Sequence, residues 1–554
     1  MNDAAAELDW TPPGPGSWAL AADHYPRPIT EAHKAFLPIW SETTTAYIRA
    51  VGLPVEGLVM AEVNGFPYVS LVGDSPGKPP PPWVMAVLAR VVPSLRRAER
   101  DLRRFLDERG WVDGVAEWYD VLRPAAVARL RAIAAVDVEA LDGDELADHL
   151  ETVLEEWRAD ARLHLSLGIH DIVPATVFAA RLAEHGVDPV TTFGLLAGSS
   201  PASRGESDEL TALRHALDGR PLVSLDAPGL GAEVDDALAE FLLVHGWRLV
   251  DGYDVDCTCL VEAPELALAT IAAPPVGVAA DLDARTAAVR EGLPAPVREQ
   301  FDADLEDARR SYGLRDDNGL ILIAWSTGLL RRAMLRAGRA LAGAGALSDP
   351  TLAIEATPAE LASALRREAP VDADELTRRR AHRARWRAVD APEVLGDPPA
   401  PDPEGMPGAL GLMMRALTLM DEGATPPDEP LHGFGVGADR YEGPVRLVLG
   451  AGQGLDAFAP GDVLVAPMTS PSYNRLLGLA GALVTDAGGL LSHAAVMARE
   501  LGIPAVLATG DATTRLRDGD HVVVDPVAGA VRVVDRPGPA TSATAPTLTT
   551  EASR

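Results

Sequence analysis

One stretch near the C-terminus constrains the fold more than any other: Gly488-Gly489-Leu490-Leu491-Ser492-His493-Ala494-Ala495-Val496-Met497-Ala498-Arg499-Glu500-Leu501-Gly502-Ile503-Pro504-Ala505-Val506. It reads as glycine turn, short helix, glycine stop and strand, with Ala482-Leu483-Val484-Thr485 as the strand that enters it. Gly488-Gly489 permits a tight turn with the backbone close to a ligand. Ser492 is a good N-cap, Gly502 a good stop, and Pro504 prevents the helix from resuming. His493 therefore falls in the first helical turn, where free backbone N–H groups and the helix dipole favour an anion. An imidazole carrying a phosphoryl group is strongly anionic, and this position stabilises the added charge. Its ordinary pKa of about 6.5 also makes it a competent nucleophile near neutral pH. Geometry alone weighs this reading evenly against a polar residue at a helix start with no chemistry.

The residues around the histidine tip that balance. The run 488–506 resembles the phosphohistidine motif of the PEP-utilising enzymes. The flanks resemble it too: Gly461-Asp462-Val463-Leu464-Val465-Ala466 with Thr469-Ser470-Pro471 before it, Asp518-Gly519 and His521-Val522-Val523-Val524-Asp525 after it. Leu491 stands where many members have Thr, a position at which the family varies. The resemblance implies that His493 is phosphorylated and rides on a swivelling β/β/α domain, with Gly488, Gly489, Ser492, Arg499 and Thr469 supporting the phosphohistidine. At about 3.6 residues per turn, Glu500 returns to the face of His493 two turns on. Arg499 points a third of a turn away. It reaches a phosphate only by curling back, and otherwise contacts a partner domain or a carboxylate.

At 554 residues the chain should form more than one domain. A net charge of −32 argues against nucleic acid or an anionic membrane as a main partner. The two cysteines, Cys257 and Cys259, are too close for a common disulfide, and nothing beside them completes a zinc site, so no metal is expected. The apolar runs Trp83 to Ala89 and Leu320 to Trp325 are too short to cross a bilayer, and no signal peptide opens the chain. A cytoplasmic address is expected.

The fold class expected is multidomain: a mainly α-helical substrate-binding body plus a C-terminal β/β/α swivelling phosphohistidine domain. Residues 1–82 read as an irregular segment packed on the body. There Pro12, Pro13, Pro15, Pro26 and Pro28 argue against a long helix, Thr30 can cap one through Phe36, and Asn64-Gly65 signals a hairpin. Residues 83–390 carry helical periodicity, over about 126–160, 172–186, 208–218, 232–246, 282–310, 320–344 and 358–388. Residues 391–430 form a Pro-rich linker whose apolar middle, Ala409 to Met420, reads as a short helix docked on a neighbour. The domain at 431–536 should hold strands at 445–449, 462–466, 482–485, 505–507, 522–525 and 530–534. The tail 537–554 should be disordered.

The helical body resembles the substrate-binding domain of rifampicin phosphotransferase and its relatives. The likeness rests on Gly246-Trp247-Arg248 with Asp251 and Asp254, on Ala308-Arg309, on Leu335-Arg336-Ala337-Gly338-Arg339-Ala340-Leu341, and on Gly16-Ser17-Trp18 with Asp23-His24 and Pro26-Arg27-Pro28. Relatives commonly have His where Trp247 stands. The family charges its histidine through an ATP-grasp domain or a PEP-binding barrel with a catalytic cysteine. Neither is evident here, for no segment has a convincing glycine-rich phosphate loop, and the context of Cys257 and Cys259 differs from the barrel motif.

The resemblance thus implies a phosphotransferase subunit without a cofactor of its own. A separate ATP-grasp-type partner, holding ATP and Mg²⁺, charges His493, which passes the group to a small-molecule hydroxyl in the body. Phenylphosphate synthase shows that the family tolerates such a split. A phosphocarrier without its own acceptor site and a catalytically silent binding module are the alternatives. Candidate substrate-site residues are His24, Arg27, His170, Arg248 and Asp254. His24 beside Asp23 suits a general base, and His170 is a better candidate than His164, which reads as a helix-face residue. Arg248 and Asp254 fit an internal ion pair tying helices somewhat better than a substrate contact. Arg315, Asp316 and Asp317 read as charges preceding an apolar helix.

Overall fold

The computed structural model describes residues 8–536 except 23, 26, 54–55, 73–87, 89, 201–206, 227–228, 251, 273–281, 387–390, 399–407, 422–430, 438, 450–457, 470–472 and 490–491. The expected tail at 537–554 and parts of the expected linker lie outside the described residues.

Strands β1 (Ser17–Leu20), β2 (Gly57–Val63), β3 (Phe66–Val72) and β4 (Val394–Gly396) form an antiparallel sheet in the order β2-β3-β1-β4. Asn64 (φ 55°) and Gly65 (φ 85°) both take the left-handed conformation that a two-residue hairpin turn needs. The prolines of this region do not exclude a long helix, contrary to expectation. Helix α1 runs from Phe36 to Val51, after all five, and Pro38 lies in its first turn, where a missing N–H costs no helical bond. Thr30 does cap, its Oγ1 accepting the His33 N–H at 3.2 Å, but into a 3₁₀ turn that precedes α1.

The body is built on α2 (Pro93–Asp107), α3 (Gly143–Ser166), α4 (Val173–Ala183), α5 (Arg298–Asn318) and α6 (Ser326–Gly343). In α3, Leu146, Leu150, Val153, Trp157 and Ala161 are buried at helical spacing and face α1 and α6. The periodicity over 126–160 belongs to two helices, because Asp142 starts a new one through a capping box with Glu145. Arg315, Asp316 and Asp317 do not precede a helix but end α5. The apolar run Gly319–Trp325 then continues the rod into α6 as π-helix, buried over Ile321–Trp325, so no start signal is required.

The region 391–430 is less of a linker than its composition suggests. Leu395 of β4 is buried with Trp18, Tyr68 and Trp386. Helix α7 (Gly408–Asp421) lies on α2 and α4, and Glu99 of α2 caps it by accepting the Ala409 and Leu410 N–H groups at 3.1 and 2.9 Å.

The C-terminal domain is an eight-stranded sheet: β5 (Leu431–His432), β6 (Phe434–Val436), β7 (Tyr441–Leu447), β8 (Val463–Ala466), β9 (Ala482–Thr485), β10 (Ala505–Leu507), β11 (His521–Asp525) and β12 (Ala530–Asp535). Their order is β5-β12-β11-β7-β8-β9-β10-β6, with a parallel centre from β7 to β10. Leu464 and Leu483 feed the core on one face, Val465 and Val484 the core on the other. Burial on both faces explains the unbroken apolar runs. The short strands β5 and β6 carry no sequence signal of that kind.

Among the described residues no single helix is long and apolar enough to cross a membrane. One bent pair, Gly143–Ser166 with Gly168–Ala183, passes on length and composition, and its apolar residues line the core.

Candidate functional site

Helix α8 (His493–Leu501) follows β9 through the glycine turn. Ser492 is extended, and its Oγ accepts the Ala495 N–H at 3.3 Å; Gly502 ends the helix in the left-handed conformation. Gly488 has φ 122°, and a Cβ there would lie 2.9 Å from Ser492 Oγ. Gly489 accepts the Ser492 N–H at 2.9 Å. Thr469, buried at the end of the segment after β8, sets its Oγ1 2.9 Å from His493 Nδ1. The imidazole is half-buried, and loss of solvation pushes its pKa down to about 3, which keeps it neutral near pH 7.

The face of α8 that carries His493 is turned to the body. Val496 shares one core with Phe178, Tyr312 and Met413. Glu500, 5% exposed, accepts the Gly198 N–H at 2.8 Å. Arg499 lies over the Phe193 ring, 5.4 Å from its centroid, and beside the Tyr312 hydroxyl; burial lowers its pKa. Of the destinations open to Arg499 in the sequence, the structure shows the contact with the body. Phe193 and Gly198 sit in a segment with no motif, and nothing local marked them.

The body candidates divide. Asp254 accepts the Thr30 N–H (2.7 Å), the Thr30 hydroxyl (2.6 Å) and the Val255 N–H (2.6 Å), so it fastens the N-terminal loop. It does not pair with Arg248. That side chain donates to the Val244 carbonyl at 3.0 Å and lies over Trp325, where burial pushes its pKa down to about 10. Arg27 pairs with Asp256 at 2.9 Å. His24 is exposed, its ring 5.4 Å from that of Tyr253. His170 packs on Gly114, where a Cβ would come within 2.3 Å of the ring, and its Nδ1 lies 3.2 Å from the Trp111 carbonyl. It spaces two helices.

His164, a helix-face residue in the sequence reading, joins a polar cluster. Its Nδ1–H donates to Asn318 Oδ1, and Asn318 Nδ2 donates to Asp171 at 3.3 Å. Burial pushes His164 down to about 4 and Asp171 up to about 7. The Arg315 guanidinium opposes the rise at Asp171, adds to the fall at His164, and is felt by Tyr253 and Tyr312. Asp171 Oδ1 and Arg315 Nη1 are buried with no hydrogen-bond partner among the described residues.

A cleft of about 400 Å³ between α2, α4 and α7 would admit a small molecule by size. Its arginines are already paired, Arg103 with Glu99, Arg181 with Asp304 and Arg415 with Glu184. Among the described residues no three His, Cys, Asp or Glu side chains are grouped to hold a metal.

Residues 458–529 match the family described as PEP-utilising enzyme, mobile domain. The chain is 34% identical over 309 residues to an uncharacterized phosphotransferase, YvkC, of Bacillus subtilis, covering 54% of this chain and 36% of that protein. It is 41% identical over 114 residues to the phosphoenolpyruvate synthase of Escherichia coli, covering 21% of this chain and 14% of that one. It is 25% identical over 537 residues to chondramide synthase cmdD of Chondromyces crocatus, covering 88% of this chain and 13% of that one. The chain spans well under half the length of each of these relatives.

Proposed function

We propose, from the match of residues 458–529 to the mobile domain of PEP-utilising enzymes, that this chain is a phosphotransferase subunit: His493 takes a phosphoryl group from a separate ATP-binding partner and gives it to a small-molecule hydroxyl bound by the helical body. The observation that carries this is the contact of His493 Nδ1 with Thr469 Oγ1, at the N-terminus of a helix whose same face lies on the body. With Nδ1–H donating to the threonine, the Nε2 lone pair is the nucleophile. It attacks the terminal phosphorus of ATP, the bond to the bridging oxygen breaks, and ADP leaves with that electron pair. The phosphoramidate formed is stabilised by the free N–H groups of the first turn. The domain then swings from donor to acceptor, and the acceptor oxygen attacks phosphorus as the P–N bond breaks and its electron pair returns to Nε2.

The cluster around Asp171 is the acceptor seat in this reading. A carboxylate with a pKa of about 7 is matched to take the hydroxyl proton, and Arg315 to stabilise the charge gathering on phosphate. The similarity to cmdD, which runs through 88% of this chain, supports body and histidine domain working as one unit.

The test is labelling. With γ-labelled Mg-ATP and the ATP-binding partner, an acid-labile label should map to His493, and the chain alone should take none. A label that persists in His493→Ala, or self-labelling by the isolated chain, would overturn the proposal.

A further inference from the structure

Helix α8 makes three kinds of contact with the body, through Val496, Arg499 and Glu500. Glu500 accepts the Gly198 N–H at 2.8 Å. Arg499 covers the Phe193 ring at 5.4 Å. Val496 is buried in the body's own core. Gly198 itself has φ 78°, so the turn that aims its N–H at the carboxylate is one that glycine adopts without strain. A second contact between the domains sets helix Asn474–Leu479 against helix Pro264–Ala272.

A buried carboxylate on a backbone N–H is a charge-assisted bond, and a buried carboxylate stripped of that partner is costly. The contact therefore favours one position of the domain strongly. Val496 and Glu500 lie about one and two turns beyond His493 on one helix face, so that position holds the histidine toward the body. A phosphoryl donor must approach the same face.

We infer that Arg499 and Glu500 form a latch on the Phe193–Gly198 turn which holds the histidine domain in its acceptor-facing position, and that the donor charges His493 only after the latch opens. The two residues are positioning residues rather than catalytic ones. The inference rests on the proposed function for its meaning in the reaction, but the latch is measurable without a phosphoryl donor.

Hydrogen exchange by mass spectrometry on the full chain reads the 193–200 segment directly. In the unsubstituted protein this segment should exchange slowly. Glu500→Ala and Phe193→Ala should each speed its exchange about tenfold or more, and Glu500→Gln, which keeps an acceptor oxygen, should restore most of the protection. Diethyl pyrocarbonate, a small imidazole-modifying probe, should modify His493 several-fold faster in the two alanine variants. Phe193→Ala changes only the body side, so an effect of that variant on His493 cannot come from damage to the histidine domain. Unchanged exchange and unchanged His493 modification in both alanine variants would overturn the latch. Protection at 193–200 in a protein that no donor can label would leave the latch standing and sink the proposed function. Normal labelling of His493 with no protection there would do the reverse.

Discussion

The His493 turn and the Asp171 cluster are built in opposite ways. Around His493 nearly every shaping residue is a sequence neighbour: Gly488 opens the turn, Ser492 caps it and Gly502 closes the helix, with Thr469 brought in from the adjacent strand's end. Around Asp171 the groups come from α3, from the short helix Gly168–Asp171, from the Tyr253 loop and from the last turn of α5. The first site is a local grammar that the end of a strand can host. The second exists only while a helical core holds distant segments in register. The first arrangement can therefore be moved as a unit, whereas the second is tied to the packing of its own body.

That contrast can be broken most forcefully with glycines. A Cβ at Gly328 of α6 would lie 1.6 Å from the Trp247 carbonyl oxygen, and one at Gly435 of β6 would lie 1.7 Å from that of Pro526. Each Ala substitution should cost its region about 3 kcal/mol or more. Calorimetry should show Gly328→Ala lowering the body transition alone and Gly435→Ala the sheet transition alone; a joint shift would show the two regions to be one folding unit.

Protonation should separate the regions next, with opposite signs. Asp171 binds its proton more tightly folded than unfolded, since its pKa rises from 3.8 to about 7. Its contribution is full at low pH and is lost as pH rises through that window. His493 falls from 6.5 to about 3, so its contribution is full above 6.5 and is lost as pH falls toward 3. Between pH 5 and 8, the urea midpoint of Asp171→Asn should fall less with rising pH than that of the unsubstituted body. His493→Gln should flatten the acid-side loss in the sheet domain. By NMR the His493 imidazole should not titrate between pH 8 and 5.

Finer tests follow within the carrier site. Thr469→Val removes the partner of Nδ1 and should slow labelling of His493 by about tenfold without changing the fold. Ser492→Ala should cost the sheet domain about 1 kcal/mol, read as a small drop in its melting temperature.

Legibility in the sequence followed the same division. The helix at His493, its cap and its stop are readable because each depends on residues within one turn of its neighbour. The central strands β8, β9 and β10 of the sheet domain are readable because burial on both faces leaves continuous apolar runs. The hairpin at Asn64-Gly65 is readable because two positive φ angles restrict the residue types. What failed did so for want of long-range information. The link of His164 to Asp171 runs through Asn318, far along the chain, so nothing beside His164 marks it. Pro-rich composition disguised β4 and α7 as linker, since neither the pairing of β4 with β1 nor the Glu99 cap is a local property. Arg315 reads as a charge before a helix because nothing local shows that α5 runs on through Gly319–Trp325 into α6.

That continuity sets a phase relation. From Arg298 to Gly343 the chain runs as one rod, with π-helix at Gly319–Trp325 between two α-helical stretches. A π segment behaves as an α-helix with a residue inserted, and such segments recur at functional sites. Removing one residue between 319 and 325 and restoring ordinary pitch would absorb the loss and leave Trp325, Leu329 and Leu330 close to their present phase. Removing one residue from the α-helical turns on either side would instead rotate everything beyond by about 100°. The angular offset between the polar end of α5 and the apolar seam of α6 is thus fixed by a count of residues in the α-helical turns, and the π segment is where that count can change by one without a rotation.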